Sequence, residues 1–194
     1  MKRVSTFWTD EDGGPAAEFA LVLPLALLFL FGIIDVGRFM WEYNRAEKAT
    51  QMGARFAAVT DMVPATLATT NFVSSTVLQG DPVPSASFSG TSCNNVSPCT
   101  NSWGYNPTAF ANIVQRMRAI KPDITAAKVI VDYNNSNLGF AGDPNGPDVA
   151  PLITVRLRNM TFRPITTQIF NVSVAMPDFS YSLTMEDGIG AASN

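Results

Sequence analysis

The hydrophobic pattern is lopsided. From Phe19 to Ile34 the chain carries no charge, and Leu, Phe, Ile, Val and Ala fill almost every position. At roughly 1.5 Å per residue this run spans about 24 Å of helix, somewhat short of a hydrocarbon core of about 30 Å. Including Pro15 to Ala17 closes the gap and brings Glu18 into or against the bilayer. There an ionisable group costs about 2.5–3.5 kcal/mol unless it is paired or lies at the boundary. No proline falls between Pro24 and Pro64, so the pattern predicts one helix continuing to about Thr60, with Pro24 removing one backbone hydrogen bond and kinking the membrane half. Beyond the apolar run the period becomes amphipathic. Glu47, Lys48, Gln51 and Arg55 fall on one side, and Ala46, Ala49, Met52, Gly53, Phe56, Ala57 and Val59 on the other. The small residues on the apolar side suit close packing, either on the protein's own core or on a neighbouring helix.

At the junction, Asp35, Arg38, Glu42 and Arg45 follow one another at spacings of three and four. This predicts a charged ladder along one helix face, level with the aromatic belt of Trp41 and Tyr43. Exposed pairs of this kind are worth only a few tenths of a kcal/mol each, so the ladder marks a level more than it stabilises a helix.

The remaining pattern is weaker. Residues 61–106 are rich in Thr, Ser, Pro, Gly and Asn, with short strands predicted over Thr70–Leu78 and Ala86–Phe88. Pro107–Lys121 places Phe110, Ile113, Val114, Met117 and Ile120 at helical spacing between two prolines. Strands are predicted over Lys128–Tyr133 and Leu152–Leu157, and over Val172–Met185 with a break near Pro177; Asp187–Asn194 reads as a tail. The fold class is therefore α+β: a long N-terminal helix, half transmembrane and half amphipathic, carrying a small β-sheet domain with one or more short helices.

Composition narrows the chemistry. The 194 residues hold no histidine, which removes Ser-His-Asp and Cys-His constellations and every His-based metal site. The net charge of −3 gives no electrostatic case for nucleic acid. Cys93 and Cys99 lie in CNNVSPC, a spacing unlike redox or zinc motifs. It points to a disulfide closing a small loop in an oxidising compartment, with two free thiols as the alternative. The loop Asp143–Asp148 holds a fragment of a calcium-loop pattern built from residues that any tight turn also uses. Asn95, Asn134, Asn159 and Asn171 match N-x-S/T, which has meaning only in a glycosylating lumen. The basic residues Arg116, Arg118 and Lys121 suit the C-terminus of the second helix through its dipole. No cofactor, metal site or enzyme signature is read from these patterns. Basic residues flank the apolar run on both sides, so their count does not orient it. The cysteines and the polar remainder favour a C-terminal part outside the cytoplasm.

One stretch carries a family likeness. Gly13, four intervening residues, then Glu18-Phe19, ALVLP at 20–24, the apolar run, DVGR at 35–38 and MGARFAA at 52–58 resemble the TadE-like family of pilin-related proteins of bacterial tight-adherence (Tad/Flp) pilus systems. A weaker echo runs through ITVRLRNMTFRPIT at 153–166 to Glu186. The resemblance implies a leader of residues 1–13, a helix within 14–64 and a periplasmic α+β domain over 65–194. It implies a prepilin peptidase cutting after Gly13, leaving Gly14 first and Glu18 fifth, where the carboxylate would aid processing or pair with a neighbour's amine. A cut after Gly14 would instead place Pro15 at the cleaved bond and Glu18 fourth. The implied partners are other TadE-like subunits, the major Flp pilin, the peptidase, the inner-membrane assembly platform and the lipid bilayer. The implied location is the bacterial inner membrane, with possible entry into an extracellular pilus. The alternative is an uncleaved anchor carrying a periplasmic binding module.

Overall fold

The computed structural model describes residues 14–96, 98–101, 103–168 and 171–189. Helix α1 runs Gly14–Ala58, unbroken through Pro24, and α2 runs Pro107–Arg118. The strands are β1 (Thr91–Asn94), β2 (Val129–Asn134), β3 (Leu152–Leu157), β4 (Thr161–Phe162), β5 (Val174–Ala175) and β6 (Phe179–Thr184). Strands β1-β2-β3-β6 form an antiparallel sheet in that order, and β4 pairs with β5. The architecture is α+β, as the pattern predicts. Two predicted strands are absent. Thr70–Leu78 is irregular, with Ser74 N–H donating to Val77 O, and Ala86–Phe88 lies in a turn in which Ser87 and Phe88 donate to Pro84 O. In the first place the backbone is taken up by a turn and by a side-chain acceptor, Asp148 Oδ2 for Phe72 N–H, and in the second by a turn, so local sequence pattern alone misleads. The strand β1, polar in sequence, was not anticipated.

The chain divides into two compact units. One comprises α1 up to Trp41 together with Phe162–Val174; the other comprises Glu42–Thr161 and Ala175–Asn194.

In the larger unit the second half of α1 buries Ala46, Ala49, Thr50, Gly53, Ala54, Ala57 and Ala58, a stripe at helical spacing. Its partners are intramolecular: a Cβ on Gly53 would lie 2.8 Å from Met117 Cγ and 3.5 Å from Val155 Cγ1. The small residues therefore seat α1 on α2 and β3. We expect Gly53→Leu to force Met117 and Val155 aside and cost about 1–3 kcal/mol by overpacking. Urea unfolding of the full chain in micelles should show this as a lowered midpoint. Unchanged stability would mean that the seat is loose.

Strands β2 and β3 alternate cleanly. Val129, Val131, Tyr133, Ile153, Val155 and Leu157 are fully buried. On the other face Arg156 Nη2 donates to Asp132 Oδ1 at 2.6 Å, and the hydroxyls of Thr154 and Ser182 lie 2.7 Å apart. Burial raises the pKa of the Tyr133 phenol despite the hydrogen bond that its oxygen accepts from Val63 N–H at 3.1 Å. Helix α2 starts where Asn106 Oδ1 caps Thr108 and Ala109 N–H, with Pro107 at its first position. At the far end of α1 the carbonyl of Ala58 accepts from Glu186 and Asp187 N–H, so the C-terminal segment closes the helix. Cys93, buried on the edge strand β1, is joined by a disulfide to Cys99, their Cα atoms 4.1 Å apart.

Candidate functional site

The apolar half of α1 is unlike a core helix. Leu21 and Phe29 are each 73% exposed, and Phe19, Leu25, Leu28 and Ile33 are all exposed by more than half. Among the described residues α1 is the one helix long and apolar enough to cross a membrane. A helix apolar on every side and unburied by protein suits a lipid solvent, which makes this segment a candidate membrane anchor. Glu18 lies exposed one turn inside the helix start at Gly14. Gly13 and the rest of the expected leader fall outside the described residues.

Asp35 directly follows the apolar run and is only 6% exposed. Its Oδ1 accepts from Ile165 N–H at 2.7 Å and from Arg38 Nη1 at 3.1 Å. Its Oδ2 accepts from Thr166 N–H at 2.9 Å and Thr166 Oγ1 at 2.8 Å. One carboxylate thus collects four donors, three of them from residues about 130 positions along the chain. Below it Phe162 meets Phe39 edge-on at 5.5 Å, and the Arg38 guanidinium lies 5.3 Å from the Phe162 ring centroid. This small unit is held by a clamp on Asp35 and an aromatic contact beside it.

In the larger unit the next two charged positions form a different cluster. Arg45 Nη1 approaches Glu42 Oε1 at 3.5 Å, while Arg45 Nε and Nη2 both donate to Ile120 O, at 3.0 and 2.6 Å. Lys121, 2% exposed, pairs through Nζ with Glu42 Oε2 and lies 3.1 Å from Asp123 Oδ2. The sequence offered Lys121 only as a helix-terminal cation. No local spacing links it to Glu42. Tyr43 packs edge-on against Phe179 at 4.9 Å, and Trp41 remains 59% exposed.

The Asp143–Asp148 loop is organised around backbone donors. Asp148 Oδ2 accepts from Phe72 N–H at 2.7 Å and its Oδ1 from Asp143 N–H at 3.1 Å, which commits the buried carboxylate to shaping the loop. Among the described residues no group of three or more Cys, Asp or Glu side chains is placed to hold a metal.

Comparison with curated proteins and with solved structures finds no match. Residues 13–55, from the last residue of the expected leader to the seat of α1 on the sheet unit, match the family described as TadE, TadE-like protein.

Proposed function

We propose that this chain is a minor pilin or pseudopilin that takes part in assembling a Tad-type pilus. The observation that carries the reading is a coincidence of place. The TadE-like match covers residues 13–55, and that stretch contains the exposed apolar run of α1 with Glu18 at its start. In this reading a prepilin peptidase cuts after Gly13, residues 15–34 anchor the protein in the bacterial inner membrane, and the α+β part stands in the periplasm. The Cys93–Cys99 disulfide supports an oxidising location for that part. Glu18 then pairs with a terminal amine, because a carboxylate beside an ammonium at membrane depth costs far less than one alone. Asp35, Arg38, Glu42 and Arg45 mark where the helix leaves the bilayer. Other TadE-like subunits, the major Flp pilin, the peptidase and the inner-membrane platform are the partners. The chain contributes no catalysis of its own.

Intact mass of the membrane-purified protein, coexpressed with its native peptidase and kept free of reductant, tests this. We expect peptidase-dependent loss of residues 1–13 and a mass two hydrogens below the reduced form. We expect Glu18→Ala to reduce processing or piliation to a small fraction of wild type. A full-length chain from cells with active peptidase, with Glu18→Ala neutral, would favour the uncleaved anchor bearing a binding module.

A further inference from the structure

We propose that residues 163–168 and 171–174 make a second membrane contact, laid into the headgroup boundary of the same bilayer that α1 enters; this rests on α1 being a membrane anchor. The argument begins with level. Asp35 is the first residue after the apolar run, and the backbone N–H groups of Ile165 and Thr166 donate to its side chain. The backbone at 165–166 is therefore fixed within a hydrogen bond of the side chain that marks the end of the span.

The second element is composition. From Pro164 to Pro177 the chain carries no charge, so no ionised side chain within it opposes contact with the boundary. Its apolar side chains divide by direction. Phe162 and Pro164 are buried within the unit, whereas Ile165, Val172 and Val174 are 39, 49 and 44% exposed. On the helix of the same unit, Val36, Met40 and Trp41 are exposed by more than half. Apolar surface thus continues past Asp35, on both the helix and the clamped segment, at the depth where a bilayer changes from hydrocarbon to headgroups. Amphipathic surface at that depth is stabilised by burying apolar side chains about 5–10 Å into the boundary. Arg38 and Arg163, which flank this surface in sequence, are suited to lipid phosphates. A lipid occupant accounts for apolar side chains left exposed at the level that the clamp on Asp35 fixes.

The test uses the full chain in vesicles of phosphatidylethanolamine and phosphatidylglycerol. With the native cysteines held in their disulfide, a single added cysteine at Val172→Cys, Ile165→Cys or Leu28→Cys carries a nitroxide. Its collision rates with oxygen and with a water-soluble nickel chelate report depth. We expect Leu28 at hydrocarbon depth, with Ile165 and Val172 at headgroup depth and the oxygen-to-nickel ratio severalfold above that of free label in buffer. Leu28 deep with Val172 and Ile165 at the aqueous value would overturn the inference and leave the anchor intact. A Leu28 label at the aqueous value would remove the anchor reading and the inference together. Protection from both reagents, in vesicles diluted to one chain each or in crowded ones, would assign the surface to protein contact and also overturn it.

Discussion

Lys121→Ala is expected to be the most destabilising substitution of a charged residue in the larger unit, lowering stability by about 3 kcal/mol, the low end of the range for breaking a buried ion pair. The lysine is 2% exposed, but its partners are less enclosed: the Glu42 and Asp123 side chains are 24 and 58% exposed. Water can therefore reach the carboxylates that the mutation leaves behind, which is why the low end applies. Two losses add together. The four-carbon stem leaves a void beneath the end of α2, and Glu42 keeps only Arg45, at 3.5 Å. Lys121→Met separates them, because it fills the void and removes only the charge. We expect it to recover more than half of the loss. The double variant Glu42→Leu with Lys121→Met should approach wild type, since a well-packed apolar pair avoids the desolvation that the ion pair must offset. Denaturant unfolding in micelles, read by near-ultraviolet dichroism, would resolve the series. If Lys121→Ala proved neutral, the cluster would be an ornament on a seat held by Gly53 and Met117 alone.

How far the sequence reveals these features depends on whether the partner is local. Helix α1 was legible because no proline interrupts the chain between Pro24 and Pro64 while an apolar run passes directly into an amphipathic stripe, and α2 because Phe110, Ile113, Val114 and Met117 fall at helical spacing after Pro107. Strands β2 and β3 showed their alternation. β1 did not, because Thr91–Asn94 is polar and becomes a strand only by pairing with residues about 40 positions away. Sites follow the same rule. Spacing alone anticipates the contacts Arg38 to Asp35 and Arg45 to Glu42. Nothing near Asp35 announces Ile165 and Thr166, and nothing near Glu42 announces Lys121. Both acidic residues look like solvated members of a surface row until the fold brings them donors. The small stripe at Ala46, Gly53 and Ala57 was ambiguous for the converse reason. Close approach is written in the residue sizes, but the identity of the approaching element is not.

The sharpest local effect should come from Asp35→Ala. The substitution removes the acceptor for Ile165 N–H, Thr166 N–H and Thr166 Oγ1, and it deprives Arg38 of its carboxylate. Because hydrogen bonds to a charged group are the strong ones, the segment beyond Phe162 loses its principal polar attachment to α1. It keeps the aromatic contact of Phe39 with Phe162. The two compact units predict how the damage distributes. Glu42, Lys121 and the four-stranded sheet belong to the other unit, so its unfolding midpoint should stay close to wild type. Amide exchange at Ile165 and Thr166 should accelerate on the order of tenfold or more. Asp35→Asn keeps an acceptor oxygen without the charge and should fall between the two. Slow exchange at both amides in Asp35→Ala would show that packing around Phe162 and Pro164 holds the segment without the clamp. A midpoint that falls in step with the exchange would mean that Asp35 is a folding residue for the whole chain. The expected split, local release with the sheet unit intact, identifies the carboxylate as the element that fixes one loop to the end of the apolar run.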